Sequence, residues 1–501
     1  MNNQRESKIA ECWDCVKSPA KIAIFSPYAT VAPHFETELE IAQLHYDRGD
    51  SVDYISCMGE LANCDFNRTH ETSTCSDCIG RRKHGLTLLT KQTPPIPFQT
   101  PATKIAVPEF ERPDQLTQHQ IDNFDIGYAV LSSLVSFCRD PEPDLIAHRE
   151  LIVKLYRSAY QAYQFTLRYL KQKTPDRVYV FNGRFAAMRA ILRACQATGV
   201  DCYMHERGCD QFHFDLFPNH LPHDIDGIHA AIVSSWNSAD PNQREKIAAS
   251  WFHDRVNRVE RNWQSFVKGQ QIGRLPENWN PKTHNVAIFC TSDDEFVAIG
   301  DAWKNKLYSN QLTAIRRLAD SLQGDDSIHL YVRMHPNLAN TENKIKRQML
   351  ELKSPNLTII SPTDPCDTYQ LMRAANKVVT FGSSVGIEAV FWSKPSILLG
   401  PSMYQHLPGT FQPKTHQQAV ELIQSRELVP HSRTGALQYG HWFQTHGIEF
   451  TYFEPENLFH GKFKGQVVYA KPAKRKLAES LRHRAGKFIK ALKQENRKRV
   501  A

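Results

Sequence analysis

Three short polar clusters in the second half of this 501-residue chain have the composition of an anion site. The first is Gly382-Ser383-Ser384, with Glu388 one helical turn further on. It follows the strand-like run VVTF, and a helix is expected from about Ser384 to Trp392. Glycine allows a tight turn and close approach of a ligand to the backbone. A helix start there directs free N–H groups and a positive dipole end beyond the strand, which favours a phosphate. The serine hydroxyls add donors, and Glu388, on the side of Ser384, can accept from sugar hydroxyls. A serine N-cap followed by a solvated glutamate is the plainer alternative. The second cluster is Arg333, His335 and Pro336 in YVRMHPN. Arg and His at a strand exit suit a diphosphate or a departing phosphate; a surface Arg beside a core His is the alternative. The third is Ser292, Asp293, Asp294 and Glu295 in FCTSDDEF. These groups can contact ligand hydroxyls, and the acids can also bind Mg²⁺. Contact without metal is the expectation, because helix termini and Arg/His already neutralise a phosphate. A capping turn is the alternative.

The first half carries a second set. His34 and Glu36 lie in SPYATVAPHFETELE, which reads as the loop after the first strand. Both are candidate general bases for an acceptor hydroxyl; a hydrogen-bonded loop His and a helix-starting acid are the alternatives. Asn182, Arg184, Glu206 and Arg207 fall at two strand ends. They are expected either to hold an acidic sugar or to order the two halves, with an Arg184–Glu206 salt bridge as the structural option. Cys57, Cys64, Cys75 and Cys78 end in a C-x₂-C pair and offer four thiolates for Zn²⁺. Their spacing is irregular for a finger or ribbon, and buried free thiols are the alternative.

The elements that must position these residues alternate strand and helix. KIAIFSPY, a helix over ETELEIAQLHYDRGD and SVDYIS form a βαβ unit. RVYVFNGR, a helix and DCYMHERG repeat it. GRLPENWNPKTH reads as a linker, after which NVAIF starts a fresh series of alternating strands and helices. The fold class expected is α/β, with two Rossmann-like domains facing a cleft and a basic C-terminal helix. The expected division is 1–272 for the acceptor domain, 273–284 for the linker, 285–430 for the nucleotide-sugar domain, 431–470 for a return segment and 471–501 for a basic tail. In open parallel sheets ligands bind beyond the carboxyl ends of strands, which is where the clusters fall.

RMHPN and TDPCDTYQLMRAANKVVTFGSSVGIEAVFWSKPSILLG resemble the nucleotide-sugar half of bacterial capsule and surface-polysaccharide glycosyltransferases of GT-B fold, Kdo-transferring capsule enzymes among them. FNGR and ERG resemble their amino-terminal half. The likeness covers most of residues 20–430. It implies transfer of a sugar from a nucleotide-activated donor to a surface polysaccharide or glycolipid acceptor, with no cofactor required for catalysis. The same HP and GSS…E elements recur in wall teichoic acid glycerophosphotransferases and sugar-nucleotide 2-epimerases. A CDP-polyol phosphotransferase and a non-catalytic nucleotide-binding or scaffold protein of polysaccharide export are therefore the rival readings.

Composition narrows the setting. Hydrophobic residues make up 41% and charged residues 23%, a globular balance. No apolar run reaches the roughly 18 residues of a membrane span, and the first residues lack a signal-type core. A cytoplasmic protein, peripheral at the inner face of the membrane, is expected, with its 12 cysteines reduced or metal-bound. Residues 471–501 contain twelve Lys or Arg and two Glu, a charge of +10, so the other 470 residues sum to 8 − 10 = −2. That near-neutral body argues against a nucleic-acid partner. The tail, with Leu477, Leu481, Phe488 and Leu492 in one stripe, suits an anionic membrane surface.

Overall fold

The computed structural model describes residues 19–99, 105–262 and 265–468. The expected basic helix of 471–501 lies outside them.

Apolar runs build two sheets. In the first half, β1 (Lys21–Ser26), β2 (Ser51–Ser56), β3 (Ile96–Pro97), β4 (Arg177–Phe181) and β5 (Asp201–Arg207) are parallel in the order 3-2-1-4-5. β6 (His213–Pro218) adds antiparallel to β5. In the second half, β7 (His284–Phe289), β8 (Ile328–Arg333), β9 (Leu357–Ile360), β10 (Lys377–Thr380) and β11 (Ser396–Leu398) repeat that order as 9-8-7-10-11, all parallel. Strands β1, β4, β7 and β10 are buried almost end to end, as parallel strands covered on both faces must be. The chain is thus an α/β protein of two Rossmann-like units. Each has its switch point where the order reverses, beside β1 and beside β7.

A layer of helices covers the first sheet: Ile126–Cys138, Arg149–Lys173 and Ala186–Thr198 pack on one another. A helix spans Arg244–Val256. That helix lies between the halves, with Phe252 stacked on Phe391 at 4.1 Å. The helix Thr434–Thr445 returns to pack against it and against Ile225–Ser238. β12 (Ile448–Glu449) then joins the edge of the first sheet beside β6. One core cluster joins first-half residues such as Val180 to Ile387, Val390 and Phe391, so the units share buried surface.

Candidate functional site

The site forms at the β7/β10 switch point. After β10 the chain turns at Gly382, whose φ is 122°. A Cβ there would meet the Pro401 carbonyl oxygen at 2.4 Å, so both conformation and space require glycine. The Ser383 hydroxyl accepts from the Val385 N–H at 3.4 Å, and its carbonyl accepts from the Tyr404 hydroxyl at 2.6 Å. The following helix, Val385–Phe391, has only seven residues. Its dipole is correspondingly short.

Glu388 is not the hydroxyl acceptor expected from its spacing. Its side chain is 1% exposed, receives the Ser384 hydroxyl at 2.9 Å and pairs with Arg255 at 3.3 Å. It therefore holds Ser384 and Arg255 in place. Arg333 is also displaced from its expected role: it is buried and donates to the Ser361 carbonyl at 3.0 Å, beside β9.

His335 does reach the cleft. Its Nδ1 accepts the Asn337 backbone N–H at 3.2 Å, which puts the ring proton of the neutral form on Nε2. Burial, with the positive field of Arg139, Arg255 and Arg333, outweighs Asp294 and pulls its pKa to about 4. The ring is neutral at physiological pH and Nε2–H is a donor.

At the end of β7 the acids form a 3₁₀ turn, Asp293–Glu295. Asp294 receives the Ser292 hydroxyl at 2.8 Å and pairs with Arg139 from the first half. Asp293 receives the Thr291 hydroxyl at 2.9 Å, and burial lifts its pKa to about 6. Glu295 receives the Asn337 side-chain amide at 2.8 Å, and burial raises its carboxyl above the ordinary range. These partners hold the side chains of the turn in place, with no side-chain cap on it.

Ser292, Glu295, His335, Gly382, Ser383 and Ser384 line one cavity of about 200 Å³. Phe296 and Trp303, stacked at 4.6 Å and 17°, form an aromatic wall of it, with Tyr404 and Tyr439 also lining. An adjoining cavity of about 270 Å³ shares Thr291, Phe296, Trp303 and Gly382 and adds Lys304 and Gln311. Asp294 lies off the 200 Å³ cavity, in a smaller one with Asp293.

The first-half candidates divide. His34 opens the helix His34–Asp47 instead of lying in a loop. Its ring packs on Phe181 at 3.8 Å, sits 3.6 Å from Glu206, and burial holds its pKa well below the usual value. Glu36, in the same helical turn, is buried against Arg81. Neither lines the cavities described above. Asn182, at φ 57°, donates to Glu206 at 2.8 Å. Arg184 does not pair with Glu206 directly; it donates to the Glu295 carbonyl at 2.9 Å and so ties the halves. Arg207 clamps the Ala32, Asn262 and Leu458 carbonyls. The four cysteines line one small cavity beside β1 and β2.

Arg139, Arg255, Trp303 and Asn337 were not legible as site residues. Asn337 stands inside the RMHPN motif and could have been found there. Arg139 and Arg255 reach the site from distant helix ends, for which the sequence carries no local signal.

No protein-family model matches the chain, and no curated protein matches it. Among solved structures it is similar to the KpsC beta Kdo 2,4 transferase of Thermosulfurimonas dismutans, at 12% identity, TM-score 0.35, covering 54% of this chain and 79% of that one. It is also similar to the UDP-bound MnaA of S. aureus (12% identity, TM-score 0.26, 86% and 93% covered). A third is the glycosyltransferase SnogD of Streptomyces nogalater (11% identity, TM-score 0.24, 85% and 95% covered). The two-unit α/β fold is shown by the chain's own two strand orders.

Proposed function

We propose that this chain is a glycosyltransferase that moves a sugar from a nucleotide-activated donor to a surface polysaccharide or glycolipid acceptor. The observation that carries this reading is the convergence of three strand-end turns, at β7, β8 and β10, on one cavity lined by Ser292, Glu295, His335 and Gly382–Ser384. The donor phosphate sits against the Ser383 hydroxyl and His335 Nε2–H, with Ser384, tied to Glu388 and Arg255, behind them. As the sugar–phosphate bond breaks, its electron pair stays on the phosphate, and these donors stabilise the charge that develops. The Phe296–Trp303 wall offers a face for a base or sugar ring. In an inverting transfer the acceptor oxygen bonds to the anomeric carbon and its proton passes to Glu295, the carboxylate that lines the cavity.

Because Asp294 is paired with Arg139, and Asp293 and Glu295 line different cavities, the acidic turn presents no pair of carboxylates to one Mg²⁺. Turnover is expected to survive EDTA. The test is a panel of sugar nucleotides with glycan acceptors, followed by nucleotide release and product linkage. A glycosidic product supports the reading. A phosphodiester product identifies a polyol-phosphate transferase instead, and a folded protein inert to the whole panel contradicts both.

A further inference from the structure

We propose that Cys209, Asp210 and His213, at the turn between β5 and β6, bind a zinc ion. Among the described residues they form the group whose ligand atoms lie within 4.8 Å of one another: a thiol sulfur, a carboxylate oxygen and a ring nitrogen. One sulfur and one imidazole nitrogen beside a single carboxylate suit zinc and not Mg²⁺ or Ca²⁺, which prefer all-oxygen shells. Three protein ligands leave the fourth position of the tetrahedron to water. None of the three lines the proposed donor cavity or the one adjoining it.

The backbone builds the turn. The Gly208 N–H donates to the His213 carbonyl at 2.8 Å, and the Cys209 N–H donates to the His446 carbonyl at 3.0 Å, which holds the return segment against it. The Phe212 N–H donates to Asp210 Oδ1 at 2.9 Å. Cys209 is buried, while the Asp210 and His213 side chains are 22% and 27% exposed and leave the ion a way in. His213 Nδ1 lies 2.6 Å from Asp210 Oδ1; around zinc the two atoms stand about 3.4 Å apart, a shift that part-exposed side chains can make. Arg261 lies 3.6 Å from Asp210 Oδ2 and donates to Asp254 at 3.0 Å, so a second carboxylate matches its charge. It thereby orients the other oxygen of the ligating carboxylate, as outer partners of metal ligands do. Burial works to lower the His213 pKa, but hydrogen bonds with Asp210 and Cys209 raise it to about 10. The same two groups that hold this proton can hold a dication, which releases it on binding.

The test is full-length protein without an affinity tag, equilibrated with zinc, passed through gel filtration and analysed for metal. About one zinc per chain is expected, with weaker binding as pH falls because the ligands must shed their protons. Cobalt in place of zinc should give a near-ultraviolet thiolate-to-metal band. Cys209→Ser and His213→Ala should each lose the zinc and the band, whereas Cys75→Ser, in the separate thiol group beside β1 and β2, should keep both. Should Cys209→Ser fail to fold, Asp210→Asn, at a part-exposed position, takes its place and should bind zinc more weakly. Wild-type protein that retains no zinc, or zinc kept by the Cys209 and His213 variants and lost by Cys75→Ser, overturns the site. Neither result bears on sugar transfer, which has its own assay.

Discussion

Glu295 is the residue on which the proposed chemistry turns. Its carboxyl is pushed up by burial, with Asp294 adding, against the pull of Arg184, Arg139 and Asn337. A base must be deprotonated to act. The acid limb of kcat/KM should therefore lie above the ordinary glutamate range near 4.3, with activity falling as pH drops through that raised value. Glu295→Gln should lower kcat by about 10²–10⁴ while leaving the fold intact; a wild-type rate in that variant removes Glu295 as the base. At this scale Ser292, His335 and Gly382–Ser384 were legible, because polar residues at the carboxyl ends of parallel strands obey a topological rule. Glu388 was not, since its burial depends on Arg255, 133 residues earlier. His34 was misplaced because the helix starts before the glutamates that seemed to open it.

Elements set the relation between the halves. Asp125, just before the Ile126–Cys138 helix, receives Arg189 and Arg193 from the Ala186–Thr198 helix, each within 3.1 Å. Arg189 also donates to the Ile299 carbonyl of the second half at 2.7 Å. Burial works to raise the Asp125 pKa, but the two guanidinium partners win and hold it to about 2. Its folded pKa is thus below the unfolded value near 3.9. The pair's stabilisation is present above that value and is lost as pH falls through about 2. Asp125→Asn should cost about 3 kcal/mol at pH 7, because two partly buried cations lose their partner. Urea melts should show the gap between variant and wild type shrinking below about pH 3; an equal gap at both pH values contradicts the assignment. Strands β1, β2, β4 and β5 and those of the second sheet were legible in the sequence; β3, β6 and β12 of the first sheet were not. The helical layer over 126–173 was not singled out, although Ile152, Leu155, Tyr156, Ala159 and Tyr163 recur at helical spacing and are buried. Its helices pack mainly on one another and on Ala186–Thr198, so the apolar stripe alone does not say which sheet the layer covers.

At the scale of the whole molecule, the proposed donor site is lined by the second Rossmann-like unit and by Tyr439 of the Thr434–Thr445 helix, and charge is segregated between a body of −2 and 471–501 at +10. No helix among the described residues is long and apolar enough to cross a membrane. Attraction of the tail to an anionic surface, worth about 1 kcal/mol per nearby cation, should weaken with salt. Deleting 471–501 should therefore leave a folded protein that no longer sediments with anionic liposomes; equal sedimentation of both forms refutes the anchor. The central claim, that the cavity at the ends of β7, β8 and β10 takes a nucleotide-linked donor, is tested most directly by calorimetric titration of CMP, CDP, UDP and GDP into the full chain. Binding of at least one nucleotide is predicted in wild type. It should be lost in Gly382→Ala, whose Cβ would crowd the turn against the Pro401 carbonyl oxygen, and weakened in His335→Ala. Absence of binding heat for all four with the folded protein, or undiminished binding by both variants, would contradict it.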